Sequence, residues 1–331
     1  MIKKILLLTI FALSLSANEV QNDKNTTFID DLVKEVSSTL DANITNKVKL
    51  ETLKNYILNL SFDDKVDNQK YIFNMMGHNE NFILLGGYSS TRLYEKVWSD
   101  AYTSTNKYER DSNEAQFQIS FKVPLYKNFL HSGGDLFTAY TQNSYWQVYD
   151  TEHSSPFRET NYQPELFVEW QNNKKLGDSK LIKTRFSLIH QSNGQDVGQS
   201  RSWNRSELSF LLQRNNFYYG VNIWDRWDED RKTDANAIKG DDNPNLEDLI
   251  GKQKYFVKYV GEKLDLTLSH QNDISAYDIH KGNTKVDISF PSINKNFDFF
   301  IRYFNGYGES LVDYDIKIKR IGFGILIADW I

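Results

Sequence analysis

The chain has no cysteine among its 331 residues. That excludes a disulfide scaffold, thiol catalysis and thiolate metal sites, and it removes the residue on which a lipid-anchored N-terminus would be built. No segment has the long uncharged run of a membrane-spanning helix. A net charge of −5 without a basic run gives no reason to expect a nucleic-acid partner. Two familiar signatures are also missing. The acidic stretch 225–230 lacks the spacing and the glycine of an EF-hand loop. Gly308-Glu-Ser310 comes nearest to the G-x-S-x-G elbow of α/β-hydrolases, but position 312 is Val.

What is present starts at the N-terminus. Met1-Ile-Lys-Lys4 is basic, Ile5–Ala12 is apolar and Leu13–Ala17 is small and apolar, as in a secretory signal peptide over 1–17, cleaved after Ser16 or Ala17. The apolar part is too short to span a bilayer. Mean hydropathy is low, −0.58, yet the chain carries 7 Trp, 19 Tyr and 21 Phe. A transmembrane β-barrel combines those properties, because polar lumen residues alternate with lipid-facing ones. An ordinary secreted β-protein also fits.

Residues 18–80 differ from the rest. Phe28, Ile29, Leu32, Val33, Val36 and Leu40 recur at helical spacing, and Ile44, Val48, Leu53, Ile57 and Leu60 continue it less cleanly. The spacing predicts a helical periplasmic extension, with a polar linker near Asp63–Asn68. From about Phe82 the period becomes two. Twelve strands are predicted near 82–90, 114–124, 135–148, 160–170, 181–192, 203–214, 217–227, 252–262, 264–271, 284–291, 297–305 and 315–330. An even count, with tight and long connections in rough alternation, suits a closed barrel over 81–331 with both termini on the periplasmic side.

Side chains alternate across a strand. In 181–192 Ile182, Thr184, Phe186, Leu188, His190 and Ser192 share one face, opposed by Lys183, Arg185, Ser187 and Gln191. In 203–214 Asn204, Ser206, Leu208, Phe210 and Leu212 oppose Arg205, Glu207, Ser209 and Gln213. The charged set, with Glu165 and Glu169, is expected to pair in a lumen, and the apolar set to meet lipid. A soluble sandwich would alternate too, but charges of both signs on adjacent strands favour a filled barrel.

Three polar side chains fall on the apolar face: His190, Ser192 and Asn204. On a strand, His190 and Ser192 have Cα atoms ~6.6 Å apart and parallel side chains. Asn204 starts the next strand and can pair across the hairpin. Together they have the logic of a triad, with Ser192 as nucleophile, His190 as base and Asn204 holding the imidazole tautomer. A neutral amide stabilises an imidazolium less than a carboxylate does, so such an enzyme would be slow or need another electrostatic aid. A serine two residues after a histidine is common by chance, and His190 could be an interfacial residue. Placement on the lipid side, where polar groups are costly, favours function.

The intervening loop offers oxygen donors: the Ser200 hydroxyl, backbone carbonyls around Gln195 and the Asp196 carboxylate. A hard cation such as Ca²⁺ prefers oxygen and beside Ser192 would stabilise an oxyanion. A solvated turn explains the same residues. Gln142 is a further amide on an apolar face, either at the interface or in a contact between proteins in the membrane plane.

Six stretches then resemble bacterial outer-membrane phospholipase A: Tyr140–Gln147, Ser154–Tyr162, His190–Gly194, Ser200–Arg205, Asp241–Pro244 and Gly306–Tyr314. The resemblance extends more loosely to about residue 80 and does not clearly cover 18–75. It implies an all-β, twelve-stranded antiparallel transmembrane β-barrel in a Gram-negative outer membrane. It implies that Ser192, His190 and Asn204 form the triad of a calcium-dependent phospholipase cleaving acyl esters at both positions, releasing fatty acid and lysophospholipid. It also implies activation by homodimerisation, with each calcium held by Ser200 and the Gln195 carbonyl of one subunit and Ser154 of the other, and Gln142 at the dimer contact. The sequence departs from the family at Gln195, where Arg is frequent, and at Val197, where an acidic residue is common. That puts a second calcium site involving Asp242 in doubt. The chain ends Trp330-Ile331 rather than in an aromatic. The alternative from a different class is a non-enzymatic barrel, a narrow pore or an adhesin.

Overall fold

A computed structural model describes residues 75–98, 103–196, 198–232, 237, 239–274, 277–292 and 297–330. The expected signal peptide at 1–17 and the expected helical extension over 18–74 lie outside them. The described chain is nearly all strand: β1 (Met76–Gly77), β2 (Asn81–Ser89), β3 (Tyr94–Trp98), β4 (Ser104–Glu109), β5 (Asn113–Tyr126), β6 (Asp135–Trp146), β7 (Phe157–Leu176), β8 (Ser179–Ser192), β9 (Ser202–Arg214), β10 (Phe217–Arg226), β11 (Gln253–Val260), β12 (Asp265–Asn272), β13 (Asn283–Pro291), β14 (Asp298–Gly306) and β15 (Ile318–Ala328), with one short helix, α1 (Leu246–Ile250).

Twelve of these, β2 and β5 to β15, form one antiparallel ring. Each pairs with its neighbour in sequence; β2 pairs with both β5 and β15, and β5 with β6, so no edge is left open. Closure removes the sandwich as an explanation of the alternation. β3 and β4 make a separate hairpin in the connection between β2 and β5. Turns at the end that carries both described termini are short, such as Gly177-Asp178 between β7 and β8 and Asn215-Asn216 between β9 and β10. The long connections 147–156, 193–201 and 227–252 share the opposite end.

The two faces differ in chemistry. Ile83, Leu85, Ile119, Leu166, Ile223, Leu266, Leu268, Phe299, Ile301, Ile321 and Phe323 are exposed on the outside, an apolar belt that lipid covers. Aromatic pairs sit at both ends of it. Trp146 stacks on Phe157 with ring centres 5.4 Å apart near the long loops, and Phe217 lies 5.2 Å from Tyr259 near the short turns.

The inside is charged and paired. Glu169 receives Arg185 at 2.6 Å, Lys122 at 3.1 Å and Lys183 at 3.8 Å. Arg205 lies 3.5 Å from Glu207 on its own strand. Arg302 meets Asp287 at 2.7 Å. Glu114 takes Arg158 and Arg320, each at 2.8 Å. Near the long loops α1 contributes Leu246 and Ile250 to an apolar cluster with Trp203, Trp224, Leu311 and Tyr314, which lines that end of the lumen.

Residues 75–80, read with the helical extension, are not helical. β1 continues the ladder on β5 through Met76↔Lys122 and Gly77↔Phe121. The chain then turns inward. His78 is buried against the Phe167 ring, centres 5.2 Å apart, and lies 3.2 Å from a Glu165 oxygen. Glu165 therefore pairs with a residue outside the expected strand set.

Candidate functional site

The site is built by the β8–β9 hairpin. His190 stands opposite Asn204, and Ser192 opposite Ser202. Their inward neighbours fix the parity. Ile189, Trp203 and Arg205 are buried on the lumen side, and the Trp203 indole N–H donates to Gln191 Oε1 at 2.9 Å. His190, Ser192 and Asn204 consequently point outward, each half-buried.

Nδ1 of His190 and Oδ1 of Asn204 are 2.9 Å apart. Because the amide oxygen can only accept, this contact places the proton on Nδ1 and leaves Nε2 as the basic nitrogen. Ser192 lies one pleat further on the same face and makes no hydrogen bond to His190 among the described residues. Catalytic hydrogen bonds often tighten only when substrate arrives.

The loop 193–201 is organised by Asn193, which is buried. Its backbone N–H donates to the Arg201 carbonyl at 3.0 Å. Its Oδ1 accepts from the Arg201 N–H at 2.9 Å, and its Nδ2 donates to the Gln199 carbonyl at 3.0 Å. Gly194 adopts φ +64°, and a Cβ there would stand 3.1 Å from the Tyr162 ring. Both the backbone and the space thus call for glycine beside Ser192.

The oxygen donors of this loop are partly engaged. The Asp196 carbonyl accepts from Gln199 and Ser200 N–H at 3.1 and 2.8 Å. The Ser200 hydroxyl donates to Asp242 Oδ2 at 3.0 Å, which leaves its lone pairs free for a cation. Gln195 is exposed. Among the described residues no group of three or more His, Asp and Glu forms a metal cage, so a calcium ion here would rest on hydroxyl and carbonyl oxygens and water. Ser154 lies in the connection 147–156 at the same end of the barrel, exposed and at φ +61°. No hydrogen bond joins it to Gln195 or Ser200 among the described residues.

Gln142 also points outward, accepting from Tyr140 Oη at 3.2 Å and donating to Ser144 Oγ at 3.1 Å. The register sets Gln142, Tyr162, Ser192 and Ser202 in one row across four strands. Gln142 is thus two strands from the serine, roughly 9–10 Å.

One contact has no counterpart in the sequence pattern. Asn204 Nδ2 donates to Glu229 Oε1 at 3.1 Å. Trp227 aligns with Asn204 through an N–H to carbonyl bond of 2.9 Å, and its indole N–H donates to Ser206 Oγ at 2.9 Å. Glu229 follows two residues later on the same side. Burial pushes the Glu229 carboxyl above the usual carboxylate range. The hydrogen bond from Asn204 opposes this, and Asp241 adds to it.

Fold and site together define a β-barrel of the bacterial outer membrane with a serine, histidine and asparagine gathered on its lipid face. The chain belongs to the phospholipase A1 family, whose model matches residues 58–327. The match begins inside the segment read as an extension, beyond the reach of the quoted motifs. The chain is 32% identical to phospholipase A1 of Proteus vulgaris over 268 residues, covering 78% of this chain and 86% of that protein. It is 30% identical to phospholipase A1 of Escherichia coli over 268 residues, again 78% and 86%. Its fold is similar to outer membrane phospholipase A from Escherichia coli, with TM-score 0.66, 27% identity and coverage of 78% of this chain and 100% of that one. It is equally similar to the Salmonella typhi outer membrane phospholipase dimer with bound calcium, with TM-score 0.66, 26% identity and coverage of 83% and 98%.

Proposed function

We propose that this protein is a calcium-dependent outer-membrane phospholipase that hydrolyses acyl esters at the sn-1 and sn-2 positions of phospholipids and lysophospholipids, active as a homodimer. The observation that carries the reading is the 2.9 Å contact between His190 Nδ1 and Asn204 Oδ1, facing lipid beside Ser192. Ser192 Oγ attacks the ester carbonyl carbon as its proton passes to His190 Nε2. The tetrahedral adduct collapses, the C–O bond to the glycerol oxygen breaks, and that oxygen takes the proton from His190. Water, deprotonated in turn by His190, attacks the acyl carbon; the bond from that carbon to Ser192 Oγ breaks, Oγ takes the proton back from His190, and the fatty acid leaves. Asn204 holds the tautomer throughout. A relative from Escherichia coli with an active-site asparagine replaced by alanine has been studied as such, in keeping with the role given to Asn204.

The donor chemistry fits calcium: oxygen only, beside the nucleophile, with the Ser200 hydroxyl oriented by Asp242. Ser200 and the Gln195 carbonyl would hold the ion, with Ser154 supplied by a second copy of the chain. The ion would supply charge stabilisation for the oxyanion. Gln142 would lie at the contact between copies, where amides can satisfy each other in lipid. The Salmonella typhi relative is described as a dimer with bound calcium.

The test is hydrolysis of short-chain phospholipids by purified protein in detergent, with calcium or a chelator, alongside crosslinking. Ser192→Ala and His190→Ala are each expected to lower turnover by at least about 10³-fold, and chelation to silence the wild type. Undiminished hydrolysis in both variants eliminates the triad, and activity indifferent to chelator eliminates the metal.

A further inference from the structure

We infer that Glu229 is a positioning residue for the triad, forming with Asn204 a two-link brace that fixes the amide's orientation and places a negative charge behind the imidazole. The inference rests on the phospholipase reading above. Its starting point is an ambiguity in that reading. An amide presents an oxygen at one end and an N–H₂ at the other, of nearly the same shape. If Asn204 were turned over, its N–H₂ would face His190 Nδ1, demand the opposite tautomer and put the proton on Nε2. His190 could then take nothing from Ser192. A triad with asparagine in the third place therefore needs an outside group that accepts only, on the far side of the amide.

Glu229 meets that need. Its Oε1 accepts from Asn204 Nδ2 at 3.1 Å, while Asn204 Oδ1 faces His190 Nδ1 at 2.9 Å. The chain His190, Asn204, Glu229 is thus ordered in one direction, each N–H donating to the next oxygen. The carboxylate is also held in place. Arg226, at the end of β10, donates to Asp241 Oδ1 at 2.5 Å and to the Asn243 carbonyl at 2.9 Å. Asp241 N–H in turn donates to the Asp230 carbonyl at 2.8 Å. These bonds fasten the base of the 227–252 connection one residue from Glu229.

The brace has an electrostatic consequence. A neutral amide offers an imidazolium little stabilisation. A carboxylate on the amide's far side polarises it, drawing positive charge onto the N–H₂ and negative charge onto the oxygen that faces His190. The charged groups around Glu229 are Arg226 on its own segment, and Asp241 and Asp242 on the returning part of the loop. Beyond Asn204 stands His190.

The experiment compares Glu229→Gln and Glu229→Ala with wild type and Ser192→Ala in calcium-saturated detergent assays across pH, with barrel formation checked by heat-modifiable gel mobility. Glu229→Ala is expected to lower kcat about tenfold with KM unchanged, the size of one lost hydrogen bond to a charged acceptor. Glu229→Gln keeps an acceptor oxygen and is expected to recover part of that loss. In both variants the acid limb of kcat/KM should move to lower pH, because the negative charge behind the imidazole is gone. A merely structural role would leave that limb in place. Folded variants with wild-type kcat, or with lowered kcat and an unmoved acid limb, overturn the inference while leaving the triad standing. An inactive wild type, or an active Ser192→Ala, overturns both.

Discussion

An asparagine in the third place of the proposed triad raises the question of why the residue is not aspartate. The neighbourhood answers it. Asn204 already has a carboxylate 3.1 Å from its Nδ2. Asn204→Asp would bring two carboxylates into contact on a half-buried, lipid-facing surface, where both cannot ionise near neutral pH. One would keep a proton, and the added charge would not reach His190. The amide instead relays one negative charge across the space of two side chains. The expected outcome is that Asn204→Asp alone is slower than wild type at pH 7, by about tenfold or more, whereas Asn204→Asp combined with Glu229→Gln regains much of the activity. The double-mutant cycle measures the coupling directly. Additive losses would show that the two residues do not act as one unit. Asn193 and Gly194 have a comparable standing beside Ser192. Neither is hydrogen-bonded to His190, yet one supplies the hydrogen bonds that close the 193–201 loop and the other the backbone conformation that turns it.

Among the elements, the β3–β4 hairpin bears on the loop that carries Ser154. The Tyr108 ring stacks on His153 with centres 3.8 Å apart, and His153 Nδ1 lies 2.9 Å from Asp150 Oδ2. The Asp150 carboxylate also accepts the backbone N–H groups of Glu152 and His153 at 3.0 and 3.1 Å, so it caps the turn from which Ser154 projects. Burial acts to raise the Asp150 carboxyl, but the hydrogen bonds from His153 outweigh it and hold the group below its ordinary range. A lowered folded value means stability that is complete above the unfolded aspartate pKa, near 4, and fades as pH falls through the folded one. Hydrogen exchange, corrected for intrinsic rates, should therefore show the amides of Glu152 and His153 protected at pH 6 and losing protection below about pH 4. His153→Ala should lower that protection already at pH 6. Protection indifferent to both changes would remove Asp150 as the organiser of the loop. Twelve strands were legible in the sequence, most to within a few residues although β7 runs on to Leu176 past its expected end at 170, because lipid on one side and a paired lumen on the other enforce a period of two. The parity of His190, Ser192 and Asn204 followed from the same rule. The β3–β4 hairpin was not legible, since Tyr94-Glu-Lys-Val-Trp and its partner stand clear of the membrane and carry no apolar stripe. Nor was α1, whose single turn packs Leu246 and Ile250 into the cluster at the lumen end. Glu229 was hidden because its position depends on how an irregular connection of about two dozen residues returns to the wall, and no local pattern encodes that.

At the scale of the molecule, the wall separates two kinds of chemistry. Inside, charges are matched and shut away from lipid; outside, the half-buried His190, Ser192 and Asn204 face it. A passive channel needs an open path, and this lumen is crossed by ion pairs, by the inward turn at His78 and by the cluster under α1. Stability and activity should therefore respond to different residues. Arg158 offers the clearest separation. Its guanidinium meets Glu114 through two nitrogens, at 2.8 and 3.0 Å, reaches Asp313 at 2.6 Å and Ser310 at 3.2 Å, and lies 4.5 Å from the centre of the Tyr145 ring. All of these groups are buried on the lumen side. Arg158→Met keeps the aliphatic stem of the side chain and takes the guanidinium away from two carboxylates, Glu114 and Asp313. Breaking a buried pair from one side costs about 3–5 kcal/mol, because the remaining charge has neither water nor partner. Arg320 still neutralises Glu114 at 2.8 Å, which sets the expectation at the lower end of that range. The urea midpoint for unfolding from detergent micelles should fall accordingly. The folded fraction should hydrolyse phospholipid within about twofold of wild type, since the His190 to Asn204 bond stands on the opposite face and on neighbouring strands. A variant that keeps its urea midpoint but loses kcat would show that the lumen network reaches through the wall to the triad, and the division of labour between the two faces would have to be abandoned.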